Sequence, residues 1–274
     1  MKKKIKKHLP LKRFSQNFLI NQNLIKKIVK FINPQLKQTL VEIGPGLGAL
    51  TKPICNIVDE LIVIEIDLNL LNFLKKYSFY SKLIVFCQDA LIFDYLNLFY
   101  KKNKLIRIFG NLPYHISTSL LFCFFEKNKI IQDMNFMLQK EVAERLIAFP
   151  GTKSYGRLSI IAQYYCNIKI IFNVASENFR PIPKIDSTFV NLVPHKKSPY
   201  FTHDIKVLSY ITNLAFQKRR KILRHSLGKI FSEKIFLKLN VDPKLRAENL
   251  SILQYCQLSN YIIENDILKN KNFN

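Results

Sequence analysis

The sequence feature that most constrains the fold is the stretch 40–51, Leu-Val-Glu-Ile-Gly-Pro-Gly-Leu-Gly-Ala-Leu-Thr. Three of the seven glycines in the 274 residues lie here, at alternate positions. Glycine is used where the backbone needs a positive φ or must approach a ligand closely. An apolar run, a glycine turn and a helix-compatible segment predict a strand–loop–helix unit whose amide groups can hold a polar or anionic ligand. The loop alone is ambiguous, because Gly44, Gly46 and Ala49 also fit a dinucleotide site, and a tight turn without any ligand is equally compatible.

Downstream of this loop, strand-like runs alternate with helical segments. The predicted strands are 40–43, 61–66, 83–87, 105–109 and 134–138. This alternation predicts a doubly wound α/β fold, with a mostly parallel sheet and helices on both faces. Two further runs, 168–174 and 187–193, have no helix between them and are expected to form an antiparallel pair at the edge of the sheet.

The segment 194–199 interrupts the pattern with prolines, lysines and a serine, which is typical of a domain boundary. We therefore expect an α/β domain over residues 1–194, beginning with a lysine-rich arm at 1–13, and a small all-helical domain over 195–274. The predicted helices of this second domain are 205–216, 219–227, 232–239 and 251–264.

The composition limits the class of protein. The hydrophobic fraction of 48% is that of a folded globular chain, and no apolar run reaches membrane-spanning length. The five cysteines form no C-x-x-C pair, and we predict no metal site. The basic N-terminus lacks the apolar core of a secretory signal. These features predict a cytoplasmic protein without a membrane segment.

The formal net charge of +24 predicts a polyanionic partner. The abundance of lysine, isoleucine and asparagine would also arise from an AT-rich genome, so codon bias accounts for part of the excess. Codon bias alone does not explain why lysine and arginine so greatly outnumber the acidic residues. We therefore favour a nucleic acid as the partner.

Two acidic residues are predicted to lie at the ends of successive strands after the glycine loop. Glu65 follows Gly44 by 21 positions, and Asp89 ends the next strand. In doubly wound sheets, ligands bind at the carboxyl ends of the strands. A carboxylate at Glu65 can accept hydrogen bonds from ribose hydroxyls, and Asp89 can accept one from an adenine amine. The pair indicates an adenosine moiety, but it does not distinguish NAD from S-adenosylmethionine.

The sequence Asn111-Leu112-Pro113-Tyr114 follows the fourth predicted strand and distinguishes between these ligands. The N6 of adenine is a weak nucleophile because its lone pair is delocalised into the ring. Hydrogen-bond acceptors for both N6 protons, here the Asn111 side-chain oxygen and the Leu112 carbonyl, would free that lone pair. Pro113 stiffens the turn and Tyr114 offers a ring on which a base can stack. This arrangement predicts methyl transfer to an adenine amine.

The tetrapeptide resembles the signature of S-adenosylmethionine-dependent amino-group methyltransferases, and several longer stretches narrow the resemblance. These stretches are 16–19 (Gln-Asn-Phe-Leu), 41–48, 111–117 (Asn-Leu-Pro-Tyr-His-Ile-Ser), 138–146, 155–159 and 179–187 (Phe-Arg-Pro-Ile-Pro-Lys-Ile-Asp-Ser). Together they closely resemble the bacterial small-subunit ribosomal RNA adenine dimethyltransferases, from about residue 14 to about residue 260.

The resemblance implies roles for individual residues, and the sequence departs from the family pattern at none of them. It implies a cofactor site, for S-adenosylmethionine, at Asn17, Leu19, Gly44, Gly46, Glu65, Ile66, Asp89, Ala90 and Asn111. It implies a catalytic site at Asn111, Leu112, Pro113, Tyr114 and Phe179. Phe179 is expected to hold the flipped target adenine against Tyr114, so that the two rings face each other across a slot beside Asn111. The implied product is N6,N6-dimethyladenosine at two adjacent positions of the terminal hairpin of 16S rRNA in the small subunit. We expect the protein itself to be a monomer.

A basic run in the second domain is predicted to contact RNA phosphates. It comprises Lys218, Arg219, Arg220, Lys221 and Arg224. We expect these residues to lie on one or two helical turns, with Ile222 and Leu223 facing the core. A solvated helix face is the ordinary interpretation of such a run, but beside an adenine-modifying site a phosphate-binding face fits better.

Three other functions remain compatible with parts of the sequence. A nicotinamide-dependent oxidoreductase would share the glycine loop and Glu65 but leaves 111–114 and the charge unexplained. A methylase of large-subunit RNA shares the expected fold and chemistry, although the 179–187 stretch and the basic run favour the small-subunit enzyme. A non-catalytic assembly factor would need the charge but not an intact pocket.

Overall fold

The computed structural model of the chain describes residues 17–267 and contains nine strands and eleven α-helices within that range. The strands are β1 Phe18–Leu19, β2 Thr39–Ile43, β3 Leu61–Glu65, β4 Leu83–Cys87, β5 Ile106–Asn111, β6 Ile131–Gln139, β7 Cys166–Val174, β8 Phe179–Arg180 and β9 Ser187–Pro194. The helices are α1 Gln22–Ile32, α2 Thr51–Cys55, α3 Leu68–Leu74, α4 Tyr95–Lys102, α5 Ser117–Glu126, α6 Lys140–Ile147, α7 Arg157–Tyr165, α8 Ile205–Gln217, α9 Leu223–Ser226, α10 Glu233–Lys238 and α11 Ile252–Glu264. Short 3-10 turns occur at Ser78–Lys82, Asn128–Ile130, Ser176–Asn178 and Ala247–Asn249. The predicted lysine-rich arm lies outside the described residues.

In the described part of the chain, seven strands form one sheet in the order β4-β3-β2-β5-β6-β9-β7. The first five of these strands pair in parallel, and β9 pairs antiparallel with β6. The predicted α/β class and mostly parallel sheet are therefore confirmed. The runs 168–174 and 187–193 are neighbours as expected, but only β7 lies at the edge of the sheet. The order reverses between β2 and β5, which is where doubly wound sheets bind their ligands.

Strands β2 and β3 each have a neighbouring strand on both sides and are almost continuously apolar. Every residue of both strands is buried, as parallel strands covered on both faces require. Helix α1 packs through Ile25, Ile28 and Ile32, which recur at helical spacing. The side chain of Asn21 accepts hydrogen bonds from the amides of Asn23 and Leu24 and so caps the first turn of this helix.

An ion pair that is largely shielded from solvent links two strands at the amino end of the sheet. The Arg107 guanidinium in β5 donates to both carboxylate oxygens of Asp133 in β6, at 2.8 and 2.7 Å. It also donates to the carbonyl oxygens of Ile32 and Asn33 at the end of α1. The guanidinium thus satisfies helix carbonyls that would otherwise lack partners. This end of the sheet is structural, and the opposite, carboxyl end is where the strands present their loops.

The described part of the chain divides into two compact units. One contains the chain up to Ala143 together with Ile168–Pro194, and the other contains Glu144–Asn167 and the chain from His195 onward. Residues 144–167, which we expected in the α/β domain, thus cluster with the C-terminal helices.

Within the second unit, α8 packs against α7 and α11. Arg157 at the start of α7 donates to the Ser209 hydroxyl in α8 at 2.9 Å, and the Tyr255 hydroxyl in α11 donates to the Ala247 carbonyl at 2.8 Å. The helices predicted at 205–216, 232–239 and 251–264 are present, within two residues at each end. No helix among the described residues has both the length and the apolar character needed to cross a membrane.

Candidate active site

A cavity of about 160 Å³ opens at the carboxyl ends of β2, β3, β4 and β5, in the first unit. Its wall is formed by residues 17–19, 42–47, 49–50, 64–66, 70, 88–90 and 111–116. The structure therefore brings together all nine residues predicted to bind the cofactor, and with them residues 112–114 of the predicted catalytic set.

The glycine loop forms one wall of the cavity in a conformation that depends on its glycines. Gly44 and Gly46 have φ values of 65° and 57°, which residues with a Cβ rarely adopt. A Cβ on Gly46 would also lie 3.1 Å from the ring of Phe18, so that ring would have to shift to make room for a side chain. The amide of Gly44 donates to the Ile64 carbonyl at 2.9 Å, which fixes the loop against the end of β3.

On this side the cavity is lined by the loop itself rather than by the start of the following helix. Helix α2 begins only at Thr51, which is buried and does not line the cavity. The Thr51 hydroxyl instead donates to Glu42 at 2.7 Å.

Glu65 is the last residue of β3, as the sequence predicts, and Asp89 lies in the loop two residues after the end of β4. Burial raises the pKa of Glu65 above its usual value, while hydrogen bonds from the amides of Asp67, Gly46 and Ile66 oppose that rise. Asp89 accepts a hydrogen bond from the Leu91 amide at 2.9 Å. Each carboxylate has two oxygens, so each can accept further hydrogen bonds from a nucleoside.

The polar and apolar groups that line the cavity fit S-adenosylmethionine. Carboxylates at the ends of two adjacent strands match a ribose diol and an adenine amine, and the half-exposed Ile66 and the buried Ala90 give the base apolar surroundings. The glycine loop exposes backbone where the amino-acid part of the ligand would lie. Among residues 17–267, no cluster of three or more His, Cys, Asp or Glu side chains is arranged to bind a metal ion.

Glu42 is a cavity residue that sequence reasoning did not assign to the site. It lies in β2 directly before Ile43 and Gly44, and its side chain is almost fully buried. Burial raises the pKa of Glu42 to about 8, the hydrogen bond from Thr51 lowers it and the nearby charge of Glu65 raises it further. A single acidic residue inside an otherwise apolar strand is the sequence signal that could have identified it, because a buried carboxyl needs a partner.

Asn111 ends β5 and lies beside the cavity. Its Nδ2 donates to the backbone carbonyl of Asn17 at 2.7 Å. Asn111 can lie there because the backbone of the preceding Gly110 passes very close to β2. A Cβ on Gly110 would lie 2.4 Å from the Ile43 carbonyl oxygen. Glycine is thus required for β5 to deliver Asn111 to the end of β2.

Three hydrogen bonds hold the rest of the tetrapeptide. The Leu112 amide donates to the Met137 carbonyl at 3.2 Å, and the Ser117 hydroxyl donates to the Tyr114 carbonyl at 3.0 Å. The Tyr114 hydroxyl and the Ser187 hydroxyl lie 2.7 Å apart. Burial raises the pKa of Tyr114, so its phenol is neutral near pH 7 and available as a flat, hydrogen-bonded ring.

The structure does not place Phe179 on the wall of the cavity, where the predicted slot with Tyr114 would need it. The Phe179 ring is completely buried, does not line the cavity, and belongs to the hydrophobic core with Leu19, Phe109 and Met137. The reason is the pairing of β8 with β1, in which Phe179 stands opposite Leu19. This two-stranded sheet turns the ring into the core instead of toward a ligand.

The basic run lies in the second unit and is not one continuous helix. Helix α8 ends at Gln217, residues 218–222 form a turn, and Ile222 makes an isolated bridge with Arg246 before α9 begins. The predicted helix 219–227 is therefore wrong for its first turn. Leu223 is buried as expected, whereas Ile222 is only partly buried.

The cations of this run differ in what they contact. Arg219 pairs with Glu248 at 2.9 Å and also donates to the Lys153 carbonyl, and Arg224 pairs with Glu233 at 3.4 Å. Lys218, Arg220 and Lys221 are exposed, and the run 217–221 lines a second cavity together with His225.

Comparisons with known proteins agree with this geometry. The model of the family described as ribosomal RNA adenine dimethylase matches residues 8–264. The protein named ribosomal RNA small subunit methyltransferase A from Buchnera aphidicola is 65% identical over 271 residues, which cover 98% of this chain and 99% of that protein. The protein of the same name from Escherichia fergusonii is 51% identical over 259 residues, covering 94% and 95%.

Two solved structures show the same fold. A dimethyladenosine transferase from Plasmodium falciparum has a TM-score of 0.77 at 24% identity, covering 91% of this chain and 98% of that one. The 23S rRNA methyltransferase ErmE has a TM-score of 0.65 at 20% identity, covering 88% and 98%. With a family model that spans nearly the whole sequence, and relatives above half identity over almost their full length, this chain belongs to the ribosomal RNA adenine dimethylase family.

Proposed function

We propose that this chain uses S-adenosylmethionine to dimethylate the N6 amines of two adjacent adenosines in the 3′-terminal hairpin of 16S rRNA, within the small ribosomal subunit. Membership of the family supports the reaction, and the names of the relatives at 65% and 51% identity support the small subunit over the large one. The observation that carries the proposal is the position of Asn111, whose amide borders the same cavity as Glu65 and Asp89.

We assign the donor to the cavity wall formed by the glycine loop, Glu65 and Asp89, with Asn17 and Leu19 covering it. When bound, S-adenosylmethionine supplies a methyl group on a sulfonium sulfur, so that the carbon–sulfur bond breaks as the N6–carbon bond forms and the sulfur leaves as a neutral thioether.

The residues of the tetrapeptide align the nucleophile. The Asn111 Oδ1 and the Leu112 carbonyl accept hydrogen bonds from the two N6–H groups, which turns the nitrogen lone pair toward the methyl carbon. Tyr114 supports the face of the flipped base. Positive charge moves onto nitrogen during transfer, so one proton then leaves to water and no strong general base is required. Holding the reactants in such a near-attack geometry can contribute about 7–11 kcal/mol at best.

The basic run contributes to RNA binding through Lys218, Arg220 and Lys221, while Arg219 and Arg224 chiefly hold the turn in place through their acidic partners. The net charge of +24 disfavours self-association, and we propose a monomer that acts in the cytoplasm during assembly of the small subunit.

The test is transfer of labelled methyl groups from S-adenosylmethionine to purified small subunits that lack the modification. The expected result is labelling of small subunits and not of large ones, at adenosines that then block reverse transcription, because a dimethylated N6 cannot pair. Labelling of large subunits instead, or of neither, would contradict the proposal.

A further inference from the structure

The hydrogen bond between Asn111 and Asn17 determines which way the Asn111 amide faces. A backbone carbonyl can only accept hydrogen bonds, so the group 2.7 Å from the Asn17 oxygen must be the NH2 end of the amide. The Oδ1 end therefore faces away from Asn17. The two ends of an amide have nearly the same shape. Without this hydrogen bond the side chain could therefore turn over.

The Asn17 carbonyl is itself held by a rigid support. The next two residues form β1, which pairs with β8 through Phe18 opposite Arg180 and Leu19 opposite Phe179. The Ile20 amide donates to the Asn178 carbonyl at 2.9 Å, which extends this pairing by one residue.

One of the two facing pairs of side chains in this small sheet is anchored in the core. Leu19 and Phe179 are both buried and belong to the same hydrophobic cluster. The chain of support thus runs from the core through β8 and β1 to the carbonyl oxygen that faces Asn111.

We infer that the Asn17 backbone carbonyl is a positioning group that fixes the Asn111 amide with its oxygen toward the target amine, and that this carbonyl makes an amide, rather than a carboxylate, necessary at position 111. The inference rests on the proposed function for the identity of the amine. The physical reason is that a carboxylate has no proton to donate. A carboxylate at position 111 would place a negative oxygen against the carbonyl oxygen of Asn17.

The conflict between these two oxygens depends on pH. Only the protonated carboxyl of an Asn111→Asp variant can donate to Asn17 while presenting its carbonyl oxygen to the amine. The proximity of the Asn17 oxygen disfavours the ionised form and therefore raises the pKa of the introduced carboxyl, and the acidic side chains of Glu42, Glu65 and Asp89 on the same cavity wall act in the same direction. Above that pKa the competent form is lost about tenfold per pH unit.

The first measurement uses the ligand-free protein and does not depend on activity. The introduced carboxyl carbon of Asn111→Asp is titrated by 13C NMR beside that of Asn72→Asp. Asn72 lies on the exposed side of α3, outside the cavity wall, so the second variant carries the same change of charge without the Asn17 carbonyl beside it. The expected pKa of the carboxyl introduced at position 111 is higher than that of the carboxyl introduced at position 72 by at least about one pH unit. Equal pKa values would overturn the inference.

The second measurement is single-turnover methyl transfer at saturating S-adenosylmethionine and saturating small subunits. The rate of Asn111→Asp divided by that of the wild type should fall at least about tenfold between about pH 6 and pH 8. The same ratio for Asn72→Asp should be constant. A constant or rising ratio for Asn111→Asp would overturn the inference, because a carboxylate would then serve as well as the amide.

A third measurement decides the question if Asn111→Asp does not fold. In wild-type protein labelled with 15N-asparagine, the side-chain amide that disappears in Asn111→Ala should exchange its protons at least about tenfold more slowly than that of the exposed Asn72. Equal exchange rates would show that no such hydrogen bond persists. If the wild type transfers no methyl group at all, the proposed function fails, whereas the titration and the exchange rates still decide the hydrogen bond.

Discussion

The Tyr114 hydroxyl lies 2.7 Å from the Ser187 hydroxyl, so the last residue of the tetrapeptide is tied to the first residue of β9. Ser187 is completely buried, and its backbone pairs with Gln139 in β6. The hydrogen bond therefore links the ring at the cavity to the paired strands β9 and β6. A residue 73 positions away in sequence thus helps to hold the Tyr114 ring in place.

This relationship predicts the behaviour of Ser187→Ala and Tyr114→Phe. Each should lose a hydrogen bond of about 0.5–1.5 kcal/mol and lower kcat/KM for the RNA by about 2- to 13-fold. S-adenosylmethionine affinity, measured by calorimetry, should stay close to that of the wild type. The double variant should be no worse than the poorer single variant, because both changes remove the same interaction. Fully additive losses would show that the two hydroxyls act separately.

Phe179 gives a prediction about stability that follows from its position in the core. Phe179→Ala removes a completely buried ring and should lower the free energy of unfolding by about 3–5 kcal/mol. The matched control is Phe149→Ala, since the Phe149 side chain is 71% exposed and its loss should cost less than about 0.5 kcal/mol. Urea denaturation of both variants measures the difference. A Phe179→Ala protein as stable as the wild type would return Phe179 to a ligand-facing role.

Glu42 predicts a dependence of stability on pH. Its pKa in the folded protein is raised to about 8 from the ordinary value of 4.5, chiefly by burial. The folded state therefore binds a proton that the unfolded state has released in this range, and the stabilisation is lost as the pH rises toward 8. Relative to Glu42→Gln, which has no such proton, the wild type should become less stable between about pH 5 and pH 8, by up to a few kcal/mol.

The measurement for Glu42 is the free energy of unfolding of both proteins across this pH range. A difference that does not change with pH would show that Glu42 is ionised in the folded state throughout. A wild type that gains stability over Glu42→Gln as the pH rises would reverse the sign of the shift.

The basic run predicts two classes of variant. Replacing Lys218, Arg220 and Lys221 with glutamine should weaken binding to small-subunit RNA. It should also reduce the slope of log K against the logarithm of the salt concentration by roughly 0.7–0.9 for each phosphate that is no longer bound. Replacing Arg219 and Arg224 should change the salt dependence less, because their charges already face Glu248 and Glu233. Binding titrations over a series of salt concentrations separate the two sets. Equal slopes for both sets would mean that the acidic partners do not restrain the two arginines.

Much of the fold could be predicted from the sequence because the central strands are apolar runs bounded by turn residues. The cavity could be predicted for a related reason: Gly44, Glu65, Asp89 and Asn111 each stand at the end of a strand, and parallel strands bring these ends to one edge. Asn17 and Leu19 could be assigned to the cofactor site only from the resemblance to a known family, because no local sequence pattern indicates them.

Three features could not be predicted because they depend on tertiary packing. A strand of two residues such as β1 or β8 leaves no periodic pattern, so the sequence does not reveal the pairing that buries Phe179. The turn at 218–222 consists of residues with good helix propensity, and the bridge between Ile222 and Arg246 overrides that propensity. Residues 144–167 precede strand β7 in sequence, and only contacts in space show that they cluster with the C-terminal helices.

Asn111 is central to the proposed reaction because it aligns the adenine amine rather than supplying affinity for the RNA. The most direct test compares Asn111→Ala with the wild type in labelled methyl transfer to unmodified small subunits, with RNA binding and S-adenosylmethionine binding measured on the same preparations. We predict that transfer falls by at least about 100-fold while both affinities change by less than about threefold, because positioning acts on the reaction step. Wild-type turnover in Asn111→Ala, or a loss of transfer fully explained by weaker RNA binding, would contradict this role.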